Sequence, residues 1–229
     1  MIQQVVESFL YYARAVDMTT QVGLSSLASE QTIATTTTTD RVSHLLDYLA
    51  TYPDATVRYY ASDMILNIRL DASYFSETRS CSRVAGQFFL GSKPVKGKPI
   101  PLNGAILVFC GILKFVVASA AEAELGALFL NCKEGKVVRL ILQELGHPQP
   151  PTPIHADNTT AVGIVNNTIK RQCSRAMEMI YFWLLCQEAQ KMLKVSHHPG
   201  LENLGDYPSK AHFGPIHWHV RPYYLHMPN

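Results

Sequence analysis

Met64-Ile65-Leu66-Asn67-Ile68-Arg69-Leu70-Asp71 alternates apolar Met64, Leu66, Ile68 and Leu70 with Ile65, Asn67 and Arg69, and it ends in a carboxylate. That period of two is the pattern of a strand, with Asp71 at its C-terminal end. Downstream, 84–90 and 105–117 supply further strands, separated by a Gly, Pro and Lys-rich turn region over 91–103, so the run opens with three strands expected to be antiparallel. Residues 120–130 read as a helix, and a second helix runs from about 134 to 145, before Gly146 and the proline cluster at 148–153. Residues 154–157 form a short strand that again closes on a carboxylate, Asp157. A helix over 176–191 and a last strand over 192–196 follow. Strands first, then strands separated by helices, predict a mixed α/β sheet.

Upstream, residues 1–30 read as short helical pieces, because Val5, Phe9, Leu10 and Ala13 recur at helical spacing. The threonine run 35–39 reads as a loop by composition, and Asp40 as the N-cap of a helix of about three turns carrying Val42, Leu45, Leu46 and Leu49. The tail from Pro215 is aromatic, histidine-rich and expected to be irregular.

Composition narrows the class. The 229 residues are 47% hydrophobic, enough for a sizeable core, and 20 Lys and Arg against 18 Asp and Glu leave a net charge of +2. Such a balance does not mark a nucleic-acid or membrane binder by charge alone, so a polyphosphate partner would have to meet a local patch. Five scattered cysteines without C-x-x-C spacing argue against a disulfide framework or a cysteine zinc site, and for a reducing intracellular setting. The first residues carry Glu7 and lack a basic, cleavable leader, so secretion is not expected. The apolar stretch 104–121 contains Lys114, which would cost roughly 2.5–3.5 kcal/mol at the centre of a membrane helix, and it is rich in Ile, Val and Phe; two buried strands suit it better.

The carboxylates carry the chemistry. Glu122 and Glu124 are two apart on a helix and point to nearly opposite sides. Glu124 fills the missing position of the Ala121, Leu125, Leu128 stripe, where an acid is costly unless a partner or metal meets it. Ligand crevices of open α/β sheets lie beyond the carboxyl ends of strands, so if the two strands are neighbours Asp71 and Asp157 face one crevice. Clustered carboxylates repel, and a divalent cation with oxygen ligands, Mg²⁺ or Mn²⁺, relieves that cost. Spacing alone leaves a capping or turn role open for both aspartates.

The ordered set Leu70-Asp71-Ala72-Ser73-Tyr74, Ser119-Ala120-Ala121-Glu122-Ala123-Glu124-Leu125 with Ala127-Leu128, Glu144-Leu145-Gly146, Ala156-Asp157-Asn158 and Gly205-Asp206-Tyr207-Pro208-Ser209-Lys210 resembles the RNase H domain of copia-type LTR retrotransposon polyproteins. The resemblance implies an RNase H-like α/β fold, a five-stranded mixed sheet with three leading antiparallel strands and flanking helices. It implies a metal-binding tetrad of Asp71, Glu124, Asp157 and Asp206, and hydrolysis of the RNA strand of an RNA/DNA hybrid with two Mg²⁺ (or Mn²⁺) ions about 4 Å apart. Asp71 would bridge the ions, Glu124 and Asp157 would hold the one at the leaving group, and Asp206 would complete the other site.

The same resemblance divides the chain into a C-terminal remnant of reverse transcriptase over 1–56, the RNase H-like domain over 57–213 and the tail over 214–229. It makes the reverse transcriptase part of the same polyprotein a partner, and it places the protein in a cytoplasmic particle or the nucleus, with no membrane. Arg83, Lys114, Arg175 and Lys210 are the candidates for phosphate contact. His197 and His198 lie near the last strand, where some nucleases of this fold use a mobile histidine; His212, His217 and His219 lack the cysteine pair a zinc finger needs. A non-catalytic relic that binds nucleic acid or is only structural stays open as the alternative.

Overall fold

The computed structural model describes residues 2–77, 80–95, 98, 100–169, 177–200, 203–212 and 214–227. Two compact units share the chain: one joins Met1–Tyr59 to Ala211–Asn229, and the other is Tyr60–Lys210.

The second unit is built on five strands, β1 (Ile65–Ser73), β2 (Arg83–Gly91), β3 (Ala105–Ile112), β4 (Thr152–Ala156) and β5 (Leu193–His197), in the order β3-β2-β1-β4-β5. The first three are antiparallel, and β4 and β5 run parallel to β1. This is the five-stranded mixed sheet expected of an RNase H-like domain. The apolar alternation of the opening octapeptide is realised: Leu66, Ile68 and Leu70 join Val84, Phe88, Leu125 and Leu128 in one core.

Helix α4 (Ala120–Glu144) packs on β1 and β2, and α5 (Thr159–Val165) and α6 (Glu178–Ala189) pack against α4 and β5. The expected break near 131–133 is absent, and α4 is one 25-residue helix. The reason is tertiary: Asn131, which reads as linker, is fully buried and donates from Nδ2 to the Ala85 carbonyl of β2 at 3.1 Å and to the Ala127 carbonyl at 2.9 Å. Gly86 makes room for it, since a Cβ there would stand 1.7 Å from Asn131 Oδ1. The helix ends where expected, with Gly146 at φ +87 just beyond it. The 104–121 stretch yields one strand, β3, rather than two; Leu113 and Val117 are buried on the way to α4. Among the described residues no helix is long and apolar enough to cross a membrane.

The other unit holds α1 (Ile2–Ala15), α2 (Gln21–Glu30), α3 (Thr36–Thr51) and α7 (Gly214–Tyr224). The threonine run is helix, not loop. Thr35 and Thr38 form a capping box in which each backbone N–H meets the other side chain, at 3.2 and 3.3 Å, so the N-cap is Thr35 and not Asp40. The tail is likewise helical: Arg221 of α7 donates to Tyr48 Oη of α3 at 3.0 Å, and Tyr48 donates to buried Asp17.

Arg83 is fully buried, so it is no phosphate contact; its Nε donates to Glu77 Oε1 at 2.7 Å and its Nη1 to Cys110 Sγ at 3.2 Å. Removing one member of a buried pair strands the other charge. Glu77→Ala is therefore expected to lower stability by about 3 kcal/mol, a drop in Tm of roughly 6–12 °C in a thermal melt.

Candidate active site

The parallel pairing of β1 with β4 matches Ile68 to Ile154 and Arg69 to His155, which puts Asp71 level with Asp157 two residues further on. Asp71 is still within β1, and Asp157 is the first residue past β4. The capping role left open for Asp157 belongs to its neighbour: Asn158 is the N-cap of α5, accepting from the Ala161 N–H at 3.0 Å.

The first turns of α4 bring the third acid. Ser119 caps the helix by accepting from the Glu122 N–H, and Glu122 accepts from the Ala118 N–H at 2.7 Å, so its carboxylate is used by local backbone. Glu124 points the other way, and one ligand oxygen each from Asp71, Glu124 and Asp157 all lie within 4.8 Å of one another. Asp71 and Glu124 are 4% and 2% exposed.

This cluster is electrostatically unsatisfied. Burial, then the nearby charges of Asp71 and Asp157, hold the Glu124 carboxyl well above its ordinary range, against a hydrogen bond from the Ala72 backbone and the attraction of Lys210. Among the described residues, Glu124 Oε1 is buried with no hydrogen-bond partner. Asp71 is also raised, by burial above all, while Ser209 and Lys210 work to lower it. An orphaned buried carboxylate oxygen facing two further carboxylates fits a divalent cation with oxygen ligands.

Asp206 stands apart from that triad. It precedes a 3₁₀ turn over Tyr207–Ser209 whose first turn accepts Pro208, as its fixed φ allows. The segment is fastened to β1: Asn203 Nδ2 donates to the Leu70 carbonyl at 2.7 Å, and Ser209 Oγ lies 2.5 Å from Asp71 Oδ2 and 2.8 Å from the Asp206 carbonyl oxygen. Lys210 Nζ pairs with Asp206 Oδ1 and sits 3.7 Å from Asp71 Oδ2, so its ammonium links the fourth acid to the first. The sequence places Gly205 and Ser209 in the last motif without showing their roles, and Asn203, two residues before that motif, carries no signal of its own.

Gly205 lies against β1 so closely that a Cβ would stand 2.5 Å from the Leu70 carbonyl carbon. Gly205→Ala is expected to cost about 1–3 kcal/mol and, by shifting Ser209 and Lys210 from Asp71, to lower turnover by about tenfold or more; a melt beside a cleavage assay checks both.

Of the other candidates, Lys114 is exposed and Arg175 lies outside the described residues. His197 is exposed at the end of β5, while the His198 ring lies 5.4 Å from that of His155 on β4. Burial, helped by Arg69 and His198, pushes the His155 imidazole down to about 4, so it is neutral at pH 7.

No protein-family model matches the chain, and no curated protein matches it. Solved structures do. The chain is similar to the N-terminal RNase H domain of a Mycobacterium tuberculosis protein, with 10% identity and a TM-score of 0.42 over 61% of this chain and 86% of that one. It is similar to LC11-RNase H1, isolated from compost, in complex with an RNA/DNA hybrid (10% identity, TM-score 0.43, 61% and 88%). It is also similar to the foamy viral protease-reverse transcriptase in complex with an RNA/DNA hybrid, at 13% identity and a TM-score of 0.38, over 77% of this chain but 26% of that one.

Proposed function

We propose that the chain is a ribonuclease H of a copia-type retrotransposon, a hydrolase that uses a divalent metal to cut the RNA strand of RNA/DNA hybrids. The observation that carries this reading is the cluster of buried Asp71, half-buried Asp157 and buried Glu124, the two aspartates at the carboxyl ends of adjacent parallel strands and the glutamate on α4, with a Glu124 oxygen that has no hydrogen-bond partner among the described residues. The hybrid as substrate rests on the ordered motifs that carry the copia resemblance.

Asp71, Glu124 and Asp157 would hold one Mg²⁺ or Mn²⁺, and Asp206 with Asp71 would hold a second. A bound divalent cation supplies Lewis-acid charge at the scissile phosphate and lowers the pKa of water. Hydrolysis forms a bond from the water oxygen to phosphorus and breaks the P–O3′ bond, releasing a 3′-hydroxyl and a 5′-phosphate. The protein's own part is positioning: Ser209 fixes one Asp71 oxygen, and the cap of α4 by Ser119 sets the turn on which Glu124 stands. Exposed Lys114 is proposed to meet backbone phosphates, and the helices of 1–56 to be the end of a reverse transcriptase.

The test is substrate choice. Equal concentrations of RNA/DNA hybrid, double-stranded RNA, double-stranded DNA and single-stranded RNA are offered with Mg²⁺, and only the RNA of the hybrid is expected to be cut. Cleavage of double-stranded DNA at the same rate would overturn the assignment.

A further inference from the structure

Lys210 stands between the carboxylates that would hold a second cation. Its Nζ pairs with Asp206 Oδ1 and lies 3.7 Å from Asp71 Oδ2, so one ammonium spans the same two carboxylates that would hold the second ion. Geometry favours persistence: Lys210 is four residues after Asp206 across the 3₁₀ turn, and Asn203 and Ser209 tie the turn to β1. The Lys210 side chain is 44% exposed, so it is free to swing into solvent, whereas Asp71 at 5% is not.

We propose that Lys210 is a built-in competitor of the second divalent cation: at rest the site takes one ion at Asp71, Glu124 and Asp157, and a second enters only when the ammonium leaves Asp71 and Asp206. This rests on the metal reading of the triad. Two halves of the site differ in the way the inference requires. The triad has a buried oxygen, Glu124 Oε1, with no hydrogen-bond partner among the described residues, whereas Asp206 is already paired with the Lys210 ammonium. A cation arriving at the first half gains a partner for an unsatisfied acid; one arriving at the second must displace a charge. The backbone phosphate of a docked nucleic acid is an anion of the class that would draw the ammonium off, which couples entry of the second ion to substrate.

The test counts bound Mn²⁺ on the intact chain, by electron paramagnetic resonance of the free ion or by calorimetry, without substrate. Wild type is expected to bind one ion tightly and a second at least about tenfold more weakly, and Lys210→Gln to strengthen the second by about tenfold, a larger gain than it gives the first. Lys210→Arg, which keeps the charge, should leave the second ion weak; Lys210→Met repeats the neutral case if the glutamine variant folds poorly. Asp206→Asn should lose the second ion with or without the lysine. Equal second-ion affinity in wild type and Lys210→Gln would overturn the competition while leaving the triad intact. Absence of any tight ion in wild type would overturn the metal reading itself, and the competition with it.

Discussion

Asp71→Asn is expected to lower hybrid cleavage by about a thousandfold or more while the protein remains folded, a loss equivalent to about 4 kcal/mol of transition-state stabilisation. Asp71 is the acid that the two proposed metal positions would share: it lies within the 4.8 Å cluster with Glu124 and Asp157, and Lys210 and Ser209 approach its Oδ2. Asparagine keeps the size and one oxygen and removes the charge. The fold survives because Asp71 sits near the end of β1, where its backbone pairing with Ala85 is indifferent to the side chain. Removing one of three mutually repelling acids should even raise the melting temperature without metal by a few degrees. Cleavage rate and melt on the same preparation check the pair of effects; full activity in the variant would remove Asp71 from the mechanism.

Glu124→Gln separates the metal from the fold. Because burial and the neighbouring aspartates raise the Glu124 carboxyl, the folded state holds its proton to a higher pH than the unfolded state does. With more protons bound to the folded form, stability falls as pH rises from the ordinary carboxylate range through the raised folded value. Melts in EDTA should therefore show wild-type Tm declining across that window. Glu124→Gln should flatten the decline and melt several degrees higher at pH 7, a gain of about 1–3 kcal/mol. Mg²⁺ should do the opposite to the two proteins: it stabilises wild type increasingly as pH rises, because binding displaces the protons, and it leaves the variant nearly unmoved. Cleavage should drop by at least about a hundredfold. A variant that still gained stability from Mg²⁺ as wild type does would take Glu124 out of the ligand set.

Much of the site was legible because its spacing is a property of regular structure. The alternation before Asp71 and the short apolar run before Asp157 locate two strand ends, and helical periodicity alone chooses Glu124 over Glu122. The structure adds why Glu122 is also buried: it serves the backbone at the start of α4. What sequence misread was decided by contacts distant in the chain. Asn131 continues α4 because Ala85 accepts its amide, a partner 46 residues away. Arg83 looks like a basic surface residue until β2 closes over it and Glu77 meets it. The tail becomes helix α7 through Arg221 and Tyr48, 173 residues apart. The threonine run was the local exception, since the Thr35 and Thr38 pairing is a capping box written in an uncommon residue, with threonine where Glu or Gln usually stands.

Metal-dependent cutting of RNA is tested by cleavage of a hybrid labelled on each strand in turn, with Mg²⁺ and then with excess EDTA. The RNA strand alone should be cut, with cutting stopped by EDTA and restored by added Mg²⁺ or Mn²⁺. Cutting that persists in EDTA, or that falls on the DNA strand, would contradict it.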